Sequence, residues 1–192
     1  MSADEGVGYV SPITYQCLFR PAFDNIRATH SNSAEAVEAI NESYLRMQAN
    51  APNDDLSLPD LAHLTEYATI SQRAINLRRV LARIPQEMTD RRAFLETIRE
   101  IAGSIRDLLE VANQIIKAVP PTVHPVIEKR KREFVRYSKQ FSNTLKEYFR
   151  DQNAIQVFMA SNLLIFQTIQ LIRCIRERIR VPANSHDRNG SK

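Results

Sequence analysis

The sequence predicts an all-α protein, with an N-terminal helical dimerisation module followed by a four-helix up-down bundle. Three observations predict it. Only four glycines occur in 192 residues, so tight hairpins and phosphate-cradling loops have little to build on. Apolar residues from Phe94 to Val119 recur in alternating steps of four and three, a sustained helical seam. Prolines and polar cap residues then cut the chain into helix-length segments with short connections, which favour antiparallel neighbours. A hydrophobic content of 43% is enough for a sizeable core.

The elements follow in order. Residues 1–10 read as disordered. Ser11-Pro12 reads as cap and first helical position, opening a helix to about Thr29 that should kink near Pro21. Ser31-Asn32-Ser33 punctuates the chain and offers a cap. Ala36, Val37, Ile40, Tyr44 and Met47 share one face of the next helix. Asn50–Asp55 is a loop, after which Ser57 and Pro59 start a pattern running from Leu61 to Ile84 and ended by Pro85. Thr89 is the expected cap of the clearest helix, which Pro120-Pro121 stops. The next runs from about His124 to Arg150, with Ile127, Phe134, Phe141, Leu145 and Tyr148 as its seam. The last carries Ile155, Phe158, Ile165, Ile169, Ile172 and Ile179. Residues 182–192 are polar and read as a disordered tail.

Charge divides the chain. Residues 1–85 hold seven arginines and ten acidic residues, net −3, and the rest holds 19 basic and 12 acidic residues, net +7. Such a split suggests two modules: residues 11–69 for dimerisation and residues 70–181 for the bundle. Two helices bury a core poorly alone. The first module is therefore expected to complete itself with another chain, through the face bearing Val37, Ile40 and Tyr44.

A second pattern is more specific. Arg99, Ala102 and Arg106 read basic, small, basic at i, i+3 and i+7, and Lys139, Ser142 and Lys146 repeat it on the next helix. Residues so spaced share a helix face. Both stripes lie one position after their helix's apolar seam, so they either converge on one groove or both point away from it. Converged, they form a trough with cationic walls and a small-residue floor, which Gly103 lowers further. Such a trough suits an acidic, apolar-faced helix. The bland alternative is an ordinary solvated face.

Other chemistry is poorly supported. His30, His63, His124 and His186 are scattered and without metal-ligand spacing. Cys17 and Cys174 form no disulfide framework, which suits a reducing compartment, and Cys17 reads as a small buried filler. No catalytic residue, cofactor or metal site is expected. The acidic start lacks a signal sequence, and the longest apolar run, Leu163–Phe166, is short. The rival functional reading is a basic helical module binding nucleic acid or acidic phospholipid, resting on Lys129-Arg130-Lys131-Arg132 with Phe134 and Tyr137 behind it. Phe134 belongs to the core seam, however, so nucleic acid is not an expected partner.

At these residues the chain resembles the programmed cell death 10 family, also called the third cerebral cavernous malformation protein. Ala82-Arg83-Ile84-Pro85, Asp90-Arg91, Phe94-Leu95, Thr97-Ile98 and Ile101-Ala102 carry the likeness. It continues through Glu133-Phe134-Val135-Arg136-Tyr137-Ser138-Lys139, Phe141-Ser142, Thr144-Leu145-Lys146 and Tyr148-Phe149, and covers about residues 77–178. The resemblance implies a cytoplasmic, non-enzymatic adaptor with Golgi, membrane or junction association through partners. It implies an N-terminal dimerisation lobe and a bundle similar to the focal-adhesion targeting domain. The implied partners are germinal centre kinases of subgroup three, a striatin–phosphatase assembly, and leucine-aspartate-motif proteins such as paxillin and the second cavernous malformation protein. A homodimer or heterodimer and an acidic phospholipid complete them. Family groove positions fall on Arg99, Ala102, Arg106, Lys139, Ser142 and Lys146. Pro21 and Phe23 match its first helix, and Val37 and Ile40 its apolar dimer positions. Between Leu56 and Arg73 the chain is shorter than the family pattern by about one helix.

Overall fold

The computed structural model describes residues 9–179. The expectations for residues 1–8, His186 and the tail lie outside the described residues. Six long helices carry the chain: α1 (12–29), α2 (Ala34–Met47), α3 (Thr65–Ala82), α4 (Arg91–Ala118), α5 (His124–Asp151) and α6 (Ala154–Ile179).

Local chemistry accounts for their ends. Ser11 caps α1, its Oγ accepting from the Thr14 amide at 3.2 Å. Pro21 has no N–H to offer the preceding turn, and the helix absorbs this with a π-helical turn over Tyr15–Phe19, in which the Arg20 amide reaches back to the Tyr15 carbonyl. Ser33 does not cap α2. Its hydroxyl donates to the carbonyls of Ile26 and His30, tying off the end of α1. Ser57 likewise closes its own loop, donating to Asn53 O at 2.8 Å. Pro59–Leu61 makes only a single 3-10 turn, and α3 begins later, at Thr65. Pro85 sits inside a one-turn helix, Ile84–Glu87, after α3 has ended. The cap of α4 is Asp90, not Thr89. The Asp90 Oδ1 accepts from the amides of Arg92 and Ala93 at 2.7 and 3.1 Å, while the Thr89 hydroxyl donates to Gln86 O. Gln152, left-handed with φ 58°, allows the short reversal from α5 into α6.

Four helices pack around a common core in the order α3, α4, α5, α6, and α6 closes on α3. Cross-helix pairs fix the directions. Arg73 meets Asp107, Asn76 meets Ser104 and Arg83 meets Glu100. One number rises as the other falls, so α3 and α4 are antiparallel. Phe94 meets Tyr148 and Phe149 while Asn113 meets Lys131, so α4 and α5 are too. The predicted seams supply the interior: Phe94, Ile101, Leu108, Ile115, Phe134, Phe141, Ile165 and Ile172 are at most 2% exposed. Each stabilises the fold by about 1.5–3 kcal/mol through burial. The helix α6 is long and apolar enough to cross a membrane, but 72% of that stretch is buried inside the protein, as in a core helix.

The N-terminal helices lie against this bundle. Val37 packs on Ile155 and Met159 of α6, with Phe23 of α1 beside them. Asn41, buried at 3%, accepts from the Tyr15 hydroxyl at 2.8 Å, and its own carbonyl accepts from Asn162 of α6. Two arginines pin the following loop. Arg78, 1% exposed, donates to Pro52 O, Ala51 O and Asn53 Oδ1, and Arg176 donates to Asp54 O and Ser57 O. The cover that α2 was expected to find on another chain is supplied in part by α6 of its own. Leu45, Leu56 and Leu58 join the main hydrophobic core.

Candidate functional site: a groove between α4 and α5

The two stripes lie on the same side of the molecule. Asn113 and Lys131 join across the α4–α5 junction at 2.8 Å. At about 100° per residue, Arg99, Ala102 and Arg106 fall within about 40° of the Asn113 direction on α4. Ser142, Lys146 and Lys139 fall within about 80° of the Lys131 direction on α5. All six stripe residues are exposed. Both sets therefore open outward beside the same junction.

The antiparallel register arranges them in rows. With Phe94 beside Tyr148 at one end and Asn113 beside Lys131 at the other, Arg99 stands across from Lys146, Ala102 from Ser142, and Arg106 from Lys139. The two cationic rows are seven residues apart, roughly 10.5 Å along the helix, with the small pair midway. Ser142 keeps its hydroxyl out of the way by donating to the Ser138 carbonyl at 3.0 Å. Half-buried Ile98, Ile105 and Leu109 on α4 and Val135 on α5 add apolar surface along the junction. A Cβ added at Gly103 would meet nothing within 4 Å.

Sequence reasoning missed how far the cationic row on α5 extends. Lys129, Arg132, Arg136, Lys139, Lys146 and Arg150 are all exposed and continue the same i, i+3, i+7 spacing. The signal was present as spacing, but Lys129–Arg132 was read as a run. Within that run two members are paired locally, Lys131 with Glu128 and Arg130 with Glu133. Lys129 and Arg132 belong to the outer row.

The three pairing residues expected on α2 separate. Val37 is 2% exposed and Tyr44 7%, both covered within the chain, whereas Ile40 is 40% exposed. Tyr44 stacks on Tyr15 with ring centroids 3.7 Å apart, and its hydroxyl donates to Val10 O. Burial pushes the Tyr15 phenol up to about 12 and raises that of Tyr44 further. Ile40 instead faces an open apolar groove of about 380 Å³ between α1 and α2, with Phe19, Phe23 and Met47 among its walls. Leu18, Phe19, Ile26 and Met47 are also exposed by more than a third. Cys17 is exposed rather than buried, standing two positions after buried Tyr15 and so on the opposite side of α1. Among the described residues no group of three or more His, Cys, Asp or Glu side chains could hold a metal ion.

Fold and surface together define a helical-bundle protein with two exposed cationic stripes, each with a small residue at its middle, on one face and an apolar groove between its first two helices. A sequence profile for the C-terminal part of programmed cell death protein 10 matches residues 39–133, which include Arg99, Ala102 and Arg106. A programmed cell death protein 10 homolog from Caenorhabditis elegans is 43% identical over 212 residues, covering 92% of this chain and 98% of the relative. The chain belongs to the programmed cell death 10 family. That alignment is longer than the 192-residue chain, so the relative carries residues this chain lacks.

Proposed function

We propose that this protein is an adaptor that holds partners at two surfaces. The α4–α5 groove receives amphipathic acidic helices of the leucine-aspartate type, as in paxillin or the second cavernous malformation protein. The apolar α1–α2 groove pairs with a germinal centre kinase of subgroup three or with a second copy, linking the kinase to a striatin–phosphatase assembly. The observation that carries the first assignment is the pair of cationic rows flanking Ala102 and Ser142 on one exposed face. The cations would attract carboxylates, speed encounter and set register, while apolar burial would supply most of the affinity. The second assignment rests on Ile40, Phe19 and Met47, apolar and exposed around one groove. The test is calorimetric titration of a leucine-aspartate peptide into the full chain and into Lys139→Glu/Lys146→Glu. Wild-type binding with a clear loss in the variant supports the groove, and equal affinities refute it.

The long cationic row on α5 favours a second reading, adhesion to acidic phospholipid. Sedimentation with anionic vesicles, weakened by salt and by Arg132→Glu/Arg136→Glu, would support it. Equal recovery of wild type and variant would count against it.

A further inference from the structure

The groove does not end at its first cationic row. Beyond Arg99 the face of α4 continues through Leu95, 36% exposed, to Arg91. A surface depression lined by Arg91, Arg92, Leu95, Glu96 and Arg99, its Glu96 paired with Arg92, shares Arg91 with a smaller pocket of about 180 Å³. Met88, Arg91, Phe94, Tyr148, Phe149 and Gln152 line the pocket, where the start of α4 meets the end of α5. Its aromatic wall is ordered: Phe94 meets Tyr148 edge-on at 5.6 Å and Phe149 at 5.7 Å, and Phe149 is 40% exposed. The pocket is amphipathic and open to solvent, with Arg91 and Gln152 lining it beside Met88 and the aromatic rings, and its volume is enough to take an aromatic ring. At the far end, the Asn113–Lys131 hydrogen bond lies across the same junction.

We infer that this end pocket is an anchor subsite for one large apolar side chain, aromatic by preference, on the acidic helix that occupies the groove. This rests on the groove reading given above. The occupant follows from charge and spacing. Rows of cations seven residues apart ask for acidic residues at i and i+7. The Ala102–Ser142 floor between them takes an apolar residue at i+3 or i+4. The pocket lies one to two turns past Arg99, about 7–12 Å along α4, so a side chain near i+14 on the same ligand face reaches it. A ligand entering in the opposite direction carries the anchor near i−7. The pocket makes recognition longer than the two cationic rows and sets where along the groove the ligand helix comes to rest.

The test uses five peptides on the full chain: the acidic frame of about 11 residues, and extensions of about 18 residues with phenylalanine or alanine at i+14 or, for the opposite direction of entry, at i−7; the tighter-binding phenylalanine extension and its alanine partner are the two compared. Binding is measured to wild type, Phe149→Ala and Lys139→Glu/Lys146→Glu. The phenylalanine extension should bind wild type at least about tenfold more tightly than the alanine one. In Phe149→Ala the two should converge. Equal affinities of the two extensions for wild type, with both weakened by Lys139→Glu/Lys146→Glu, would overturn the subsite and leave the groove standing. A phenylalanine advantage that survives in Phe149→Ala would also overturn the subsite. Peptides indifferent to Lys139→Glu/Lys146→Glu would overturn the groove itself. The two extensions differ only in the peptide, so their comparison on wild type decides even where a protein variant is destabilised.

Discussion

Reversing Lys139 and Lys146 to glutamate perturbs one member of each cationic row and no part of the core, since both side chains are exposed. The rows are roughly 10.5 Å apart, about one screening length at ordinary ionic strength, so each acts on its own ligand carboxylate nearly independently. An exposed ion pair contributes about 0.2–1 kcal/mol. Reversal replaces attraction by repulsion of similar size, a swing of about 0.4–2 kcal/mol per row and about 1–4 kcal/mol for both. That corresponds to roughly fivefold to nearly a thousandfold weaker binding. Calorimetry at low salt should show this loss with the thermal midpoint nearly unchanged. In about 1 M salt the screening length falls to about 3 Å, and the gap between wild type and variant should mostly close. A peptide with lysines in place of its acids should recover affinity for the variant. Equal affinities at low salt would refute the reasoning, as would a deficit that salt leaves intact, because the effect would then not be electrostatic.

Other expectations follow from single sites. Gly103→Ala should raise stability by about 0.5–1 kcal/mol, a few degrees at most in the melting midpoint, because the site is mid-helix with open space around it. An unchanged or lower midpoint would contradict this. Val37→Asp should destabilise the fold by about 3 kcal/mol or more in urea titration, since it places a charge between Ile155 and Met159. Ile40→Asp should leave the fold intact and weaken pairing in light scattering or kinase-tail capture. The Tyr15 phenol, pushed up to about 12 from an ordinary 10, stabilises the fold fully below pH 10. That stability should be lost as pH rises toward 12, with tyrosinate absorbance growing only as helical signal falls.

Much of this arrangement was legible because helical periodicity is written directly in residue spacing. The seams of α4, α5 and α6 lie where the apolar steps put them, and the stripe residues are exposed one position round. Their convergence was not legible, since equal offsets fit both a shared groove and two divergent faces. The Asn113–Lys131 contact puts both stripes beside one helix junction. Caps were misplaced where two candidates adjoin: Thr89 and Asp90 compete, and the carboxylate takes the amides. The apolar face of α2 was correctly seen as needing cover, but residue spacing does not say which helix provides it. Cys17 reads as buried from its apolar neighbours in sequence, yet it stands two positions from buried Tyr15, about 200° round the helix, and so faces outward.

The seating of α2 along α6 has a practical consequence for dissecting this protein by deletion. Cutting away the first two helices together with the loop that follows them would strip Ile155, Met159 and Asn162 of their neighbours and leave Arg78 and Arg176 without the loop carbonyls they grip. A shortened chain would then present fresh oily surface and stranded guanidinium groups. Failure of such a fragment to capture a kinase would mix lost recognition with damaged architecture, whereas point changes at Ile40 or Phe19 keep the two apart.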